Sequence, residues 1–275
     1  MNKLIVLDSG YLMHRSIFSY LNQYNAEIKK IISTLDCTDD EAKEILKEKI
    51  KNGEIFLMRP TFTFMRMIIG ILKKVGTDLE DQIILAQDYG SWRKQECPSY
   101  KGTRKEYRES KADNQWWKDV YNEFNKFLEK IEPYINWNYI KIFNCEGDDV
   151  ASCCVRYFKD VEKILCSSDK DWEMLCAIPN VKIFSVLTKK YKIVKNPMKV
   201  LADHIQGDKS DNLLNRPANE KEFELRKRIV NLLELPDYIE NPIKEQLENL
   251  PMKNLEIDGI PYKSVKEQLK KLYKL

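Results

Sequence analysis

Residues 137–149 read WNYIKIFNCEGDD, an apolar and aromatic run that ends in three carboxylates, Glu146, Asp148 and Asp149. The run has the length of a buried strand, and the VASCCV that follows it reads as a helix. The acids therefore stand at a strand-to-helix junction. One carboxylate there is an ordinary cap or dipole partner. Three repel one another unless a cation or a dense set of hydrogen bonds compensates.

The same pattern recurs along the chain. KLIVLD (3–8), DQIILAQD (81–88) and KILCSSDKDWEML (163–175) are further strand-like runs that end in acids. Helical spacing fills the intervals, as in TFTFMRMIIGILKKVG (61–76), closed by Gly76, and WWKDVYNEFNKFLEKI (116–131). VKIFSV and KYKIV suggest a hairpin beside the main sheet. Alternating strands and helices predict an α/β fold with a mainly parallel twisted sheet. In such sheets the functional crevice lies beyond the carboxyl ends of the strands, and four strands would deliver acid to it. Residues 26–52 are charged and read as a helical insertion in which CTDDEAKEILKEKI starts a capped helix. From about residue 208 the chain turns polar and helical.

Each acid has a structural explanation taken alone. Asp8 and Asp88 could form turns at strand ends. SSDKD (167–171) permits one cap, which leaves Asp169 or Asp171 without a structural task, and GDKSDN (207–212) adds Asp208 and Asp211 in what could be a polar turn. Together, up to nine carboxylates converge on one edge, either as a solvated acidic rim or as a site for divalent cations. Oxygen donors with only two histidines, His14 and His204, favour Mg²⁺, with Mn²⁺ able to substitute, over zinc. Two such ions about 4 Å apart can activate water and stabilise a leaving oxygen in phosphodiester hydrolysis.

Residues 89–117 show no sustained apolar period and carry Trp92, Arg93, Lys94, Tyr100, Lys101, Arg104, Lys105, Tyr107 and Arg108. Basic groups neutralise phosphates and aromatic rings stack on unpaired bases. Leaving the sheet directly after Asp88, this segment is expected to cover the acidic edge and hold a polyanion there, with Arg93, Lys94, Tyr100, Lys101, Arg104 and Lys105 as substrate-binding residues.

Composition bounds these readings. The 275 residues, 43% hydrophobic and 32% charged, suit a soluble protein with one core and a smaller appended unit. The net charge of +3 hardly argues for nucleic acid, so the distribution of charge carries that argument instead. The seven cysteines lack metal-ligand spacing, which suggests a reducing cytosol, and the N-terminus shows no secretory apolar region. A monomeric cytoplasmic protein without membrane contact is expected. No Walker-type lysine loop exists, and Gly10 stands where an aspartate-nucleophile phosphatase needs its second acid.

VLDSGYLMHR, LAQDYGSWRKQECPSYKGTRKEYRES, CEGDDVAS, CSSDKDWEML and QGDKSDN together resemble the flap endonuclease family of 5′ nucleases. The likeness is to its bacteriophage members, the T4-type ribonuclease H and related 5′–3′ exonucleases, and it spans about residues 1–212. It implies a PIN-like nuclease core over 1–207, a helical arch or clamp within 89–117, and a C-terminal helical region, 208–275. Many family members continue with a Gly-rich helix–turn–helix that grips duplex DNA and binds K⁺, and here that pattern has diverged to LLNRPANEKEFELRKRIV. By the same resemblance, Asp8, Asp88, Glu146 and Asp148, with Asp149 nearby, would hold a first ion. Asp169, Asp171, Asp208 and Asp211 would hold a second. Lys101 would contact the scissile phosphate with Arg104 as its helical partner, and Tyr100 would pack on the substrate's end. The implied activity is removal of primers or flaps at 5′ ends of DNA or RNA–DNA during replication or repair. A host cytoplasm would be its place, and single-strand binding protein, clamp and polymerase its possible neighbours. The rivals are a PIN-type ribonuclease for single-stranded RNA and a non-catalytic nucleic-acid-binding module.

Overall fold

The computed structural model describes residues 2–103, 114–251 and 253–275. Strands β1 (Lys3–Asp8), β2 (Gln82–Gln87), β3 (Trp137–Lys141), β4 (Glu162–Cys166), β5 (Val181–Ser185) and β6 (Lys190–Lys192) form one sheet. Its order is β3-β2-β1-β4-β5-β6. All pairs are parallel except the β5–β6 hairpin at the edge. The order reverses between β1 and β4, because β2 and β3 are laid down on one side of β1 and β4 and β5 on the other. That reversal opens a crevice at the carboxyl ends of the strands.

Both faces of the sheet are covered, which explains why the strands read as continuous apolar runs. On β1, Leu4 and Val6 enter one core with Ile84, Ala86, Ile140 and Leu165. Ile5 and Leu7 enter the opposite core with Ile83, Leu85 and Ile164. The second core is closed by α1 (Ser9–Leu35), α3 (Pro60–Val75), α5 (Asn114–Ile131) and α10 (Lys263–Tyr273), through residues such as Leu12, Phe64, Phe124 and Leu269. The first is closed by α6 (Gly147–Tyr157), α7 (Pro197–Gln206), α8 (Glu220–Val230) and α9 (Asp237–Glu248), through Val150, Leu201, Ile229 and Ile243. Residues after 207 thus contribute to both cores.

The stretch 26–52 is helical, but its first part is the far end of α1, which runs unbroken to Leu35. The turn to α2 (Asp39–Lys51) is set by a capping box between Thr38 and Glu41. Ile28, Ile31, Ala42 and Leu46 form a small separate core there. Gly76 ends α3 in the left-handed region at φ 69°. β4 stops at Cys166, short of the expected acids, which follow in a loop and a 3₁₀ turn, Asp171–Ala177. No described helix is long and apolar enough to cross a membrane.

Candidate metal centre

Each acid reaches the crevice by a different local device. Asp8 ends β1 and caps α1, accepting from the Tyr11 amide at 2.9 Å, while the Ser167 hydroxyl donates to its other oxygen at 2.7 Å. Asp88 follows β2 and accepts the Gly147 amide at 2.7 Å, which ties β2 to the first turn of α6. Glu146 is the N-cap of α6. Asp148 accepts from the buried Trp172 indole at 2.6 Å. Asp169 accepts the Asp171 amide at 3.0 Å, and its own amide donates to Ser167.

Two glycines make this convergence possible. A Cβ on Gly10 would lie 2.9 Å from Asp88 Oδ2, and one on Gly147 would lie 3.2 Å from the Ala86 carbonyl oxygen. Gly10 is thus a close-approach position, which gives a physical reason for glycine where a phosphatase would carry its second acid.

The electrostatics show that the acids share one space. Burial raises the Asp8 pKa to about 7, and Asp88 and Asp169 add to the shift. Asp88 is open to solvent on one side and crowded by protein on the others. That crowding, with Glu146 and Asp149 nearby, raises its pKa. Burial and the charges of Asp169, Glu146 and Asp88 push Asp148 well above the ordinary carboxylate range. Asp169 is raised by burial and by Asp171 and Asp211. Glu146 is the exception. Burial alone would raise it, but Lys101 and Arg93 outweigh burial and hold it below its usual value.

Lys101 joins the two halves of the site. Its Nζ donates to Glu146 Oε2 at 3.0 Å, and its backbone amide donates to the Asp211 carbonyl at 3.0 Å. Its backbone lies in the left-handed region, at φ 55°. A second link, Asn212 Nδ2 to the Ser99 carbonyl at 2.9 Å, fastens the GDKSDN loop to the SYKG turn.

The structure corrects four expectations. Arg93 is 1% exposed and does not face a substrate. It lies under the acids on α4 (Arg93–Glu96), with Nη2 2.7 Å from Asp149 Oδ1 and Nη1 3.2 Å from Glu146 Oε2. Its Nε donates to the Ile229 carbonyl at 2.6 Å. Asp149 is fully buried and occupied by Arg93, the Trp92 indole at 3.2 Å and the Glu146 amide at 2.9 Å, so its oxygens are committed inside the protein. Tyr100 is 3% exposed, with its hydroxyl donating to Glu146, and cannot stack on a substrate end. Trp92 is buried as well, which removes it from the proposed stacking surface. Lys94 is exposed. Arg104 and Lys105, with Tyr107 and Arg108, lie outside the described residues.

A residue that the sequence reading passed over stands in the second acidic group. His204, in the last turn of α7, is 5% exposed, with Nδ1 3.0 Å from Asp171 Oδ1. Its Nε2 is 3.2 Å from Asp208 Oδ2 and 3.6 Å from Asp211 Oδ2. Burial disfavours a charged ring, yet Asp171 and Asp211 outweigh it and push the His204 pKa up to about 10. Asp208 is held below the ordinary range. Burial opposes this, but the Ser210 hydroxyl and amide and the nearby His204 prevail. The signal available in the sequence was the spacing of His204, Asp208 and Asp211, four and then three residues apart across a helix end.

These donors fit divalent cations. Asp8, Asp88, Asp148 and Asp169 are all raised by burial and by neighbouring carboxylates, and a cluster of negative charge of this kind suits a cation. Oxygen donors of this kind match hard ions.

Comparison with known proteins follows the same lines. The family description "5′-3′ exonuclease, N-terminal resolvase-like domain" matches residues 3–203. The chain is 30% identical over 151 residues to the ribonuclease H of Enterobacteria phage T4, a match covering 52% of this chain and 48% of that protein. It therefore spans about half the length of that curated relative. The phage T5 D15 protein, co-crystallised with metal ions, superposes with a TM-score of 0.52 at 16% identity, over 98% of this chain and 97% of the other. At that identity the likeness concerns the fold.

Proposed function

The chain belongs to the 5′–3′ exonuclease family, and from that premise we propose that it is a divalent-metal-dependent 5′ nuclease. It hydrolyses phosphodiesters near the 5′ ends of DNA or RNA–DNA duplexes and flaps, in replication or repair. The observation that carries this reading is the convergence of Asp8, Asp88, Asp148 and Asp169 on one sheet edge, where burial and neighbouring carboxylates raise each of them.

Asp8, Asp88, Glu146 and Asp148 would hold one ion, and Asp169, Asp171 and Asp211 would contribute to a second. Bound ions of this class supply Lewis acidity, polarising a phosphoryl oxygen and lowering the pKa of water. The chain's own residues do the rest. Lys101, fixed by Glu146 on one side and Asp211 on the other, presents a positive charge beside the acids, where it offsets repulsion between carboxylate and phosphate. Burial works against that charge, but Glu146, Tyr100, Asp148 and Asp211 more than restore it, so Lys101 stays protonated and acts as an electrostatic group. Asp149 and Arg93 hold the start of α6 in place beneath the site.

Three labelled substrates test this reading in Mg²⁺: a 5′-flap duplex, an RNA-primed duplex and an unstructured RNA. Cleavage of the first two near their 5′ ends, leaving 5′-phosphate and 3′-hydroxyl termini, is the expected result. Equal cleavage of the unstructured RNA, indifferent to its 5′ end, would identify a single-strand ribonuclease instead.

A further inference from the structure

Trp92 and Tyr100 are buried, but a different aromatic pair stands open at the acidic edge of the sheet. Tyr89 directly follows Asp88 beyond the end of β2, and Phe143 stands three residues before Glu146 beyond the end of β3. Phe143 is 76% exposed and Tyr89 48% exposed, so neither ring gives the fold much of the stabilisation that burial would bring. The two rings meet edge to face, with centroids 5.7 Å apart and planes at 83°. Lys141 Nζ lies 4.7 Å from the centre of the Tyr89 ring and donates to Asn125 Oδ1 at 3.2 Å, which fixes a cation beside the pair. The backbone that carries the rings is clasped. The Tyr89 amide donates to the Cys145 carbonyl at 2.8 Å, the Asn144 amide to the Tyr89 carbonyl at 2.7 Å, and the Trp92 amide to the Asn144 carbonyl at 2.9 Å. Asn144 and Gly90 both lie in the left-handed region, at φ 64° and 94°. A Cβ on Gly90 would stand 3.3 Å from Asn144 Cα, so the close approach favours glycine. The clasp joins the residue after Asp88 to the residue before Glu146, and rings and acids are held as one unit.

We propose that Phe143, buttressed by Tyr89, is a stacking platform for one unpaired base of the substrate strand, with Lys141 serving the phosphate beside that base. Every base has a face that stacks on an aromatic ring, so the platform positions the strand without reading its sequence. Exposed rings also suit an apolar protein segment. Two observations favour a base. The pair adjoins two of the carboxylates that a phosphodiester must approach, and a fixed cation stands against it, which an apolar partner would not use. Phe143 and Tyr89 are thus positioning residues, distinct from the acids that would hold the ions.

The platform rests on the nuclease reading above, and its test reads binding rather than cleavage, so the two can fail separately. The full chain carrying Asp148→Asn, expected to bind without cutting, is titrated in Mg²⁺ against a fluorescent 5′-flap duplex. One abasic nucleotide is moved stepwise along the single-stranded arm of that duplex, and anisotropy gives the affinity at each step. A single position is expected at which loss of the base weakens binding about five- to a hundredfold. Adding Phe143→Ala should weaken binding of the intact flap by a similar factor and remove the dependence on that base. Phe143→Trp should keep the dependence, whereas Phe143→Leu, apolar but without a ring, should lose it. Phe143 is exposed, so these substitutions leave the core intact. Phe143→Ala that binds the intact flap as tightly as its parent, or stays sensitive to the same abasic nucleotide, would overturn the platform. So would an arm with no sensitive position, or a Phe143→Leu variant as base-dependent as its parent. Each of these results leaves the nuclease reading standing, because cleavage by the wild type decides that.

Discussion

Replacing Arg93 by methionine is expected to cost about 3–5 kcal/mol of folding stability, the usual result of stripping one partner from a buried ion pair. The guanidinium is the cation between Glu146 and Asp149, which are 5% and 0% exposed. It also donates to the Ile229 carbonyl and lies 4.8 Å from the centre of the Trp92 ring. Methionine fills much of the volume but leaves the Asp149 carboxylate buried and uncompensated. Arg93→Lys keeps the charge but loses the planar fork, so it should fall between the wild type and Arg93→Met. Combining Arg93→Met with Asp149→Leu should recover part of the loss, because the stranded charge goes with it. Urea denaturation of the four proteins measures this. A loss below about 1 kcal/mol in Arg93→Met would show that the acid cluster does not depend on this cation.

Asp148→Asn should separate chemistry from folding. The asparagine carbonyl can still accept from the Trp172 indole, so the 2.6 Å contact and the start of α6 survive. The charge that a divalent ion needs is gone, and cleavage should fall by about two to three orders of magnitude. Stability should move the other way. Burial, with Asp169, Glu146 and Asp88, raises the Asp148 pKa far above that of an unfolded aspartate. This carboxyl therefore costs the metal-free fold stability at neutral pH, and the cost shrinks as pH falls below the folded pKa and is gone only below the unfolded one. The neutral amide removes that penalty at pH 7, so the metal-free variant should be at least as stable as the wild type. Substrate binding, followed by fluorescence anisotropy, should persist. Equal cleavage by variant and wild type would exclude Asp148 from the reaction.

The sheet and its acidic edge were legible because they depend on local pattern. The runs ending at Asp8 and Asp88 have strand length, the helices between them have apolar periodicity, and the β5–β6 hairpin follows from two short runs, whereas β3 ends at Lys141, five residues before Glu146. What escaped reading depends on distant partners. Arg93, Trp92 and Tyr100 sit in a stretch whose composition resembles a solvated loop. They are buried by Asp149 and Glu146, some 46 to 57 residues away, and by the Ile229 carbonyl, 136 residues away. A basic residue near a phosphate-handling site can serve the phosphate or the acids, and only the fold decides which. His204 was hidden for a related reason, since an isolated histidine in an amphipathic helix is unremarkable until Asp171 arrives from another element. α1 shows the same limit in a plainer form. The charged residues from 26 onward read as an insertion, although they continue one helix to Leu35, beyond the main core.

The central claim is that these carboxylates work through bound divalent cations on a 5′ end. A single-turnover assay with a 5′-labelled flap duplex, run in Mg²⁺ and again in excess chelator, tests it most directly. Release of a short 5′-labelled fragment in Mg²⁺, abolished by chelator and restored when the ion is added back, is the predicted result. Cleavage that continues unchanged in chelator, or no cleavage with either ion or chelator, would contradict it.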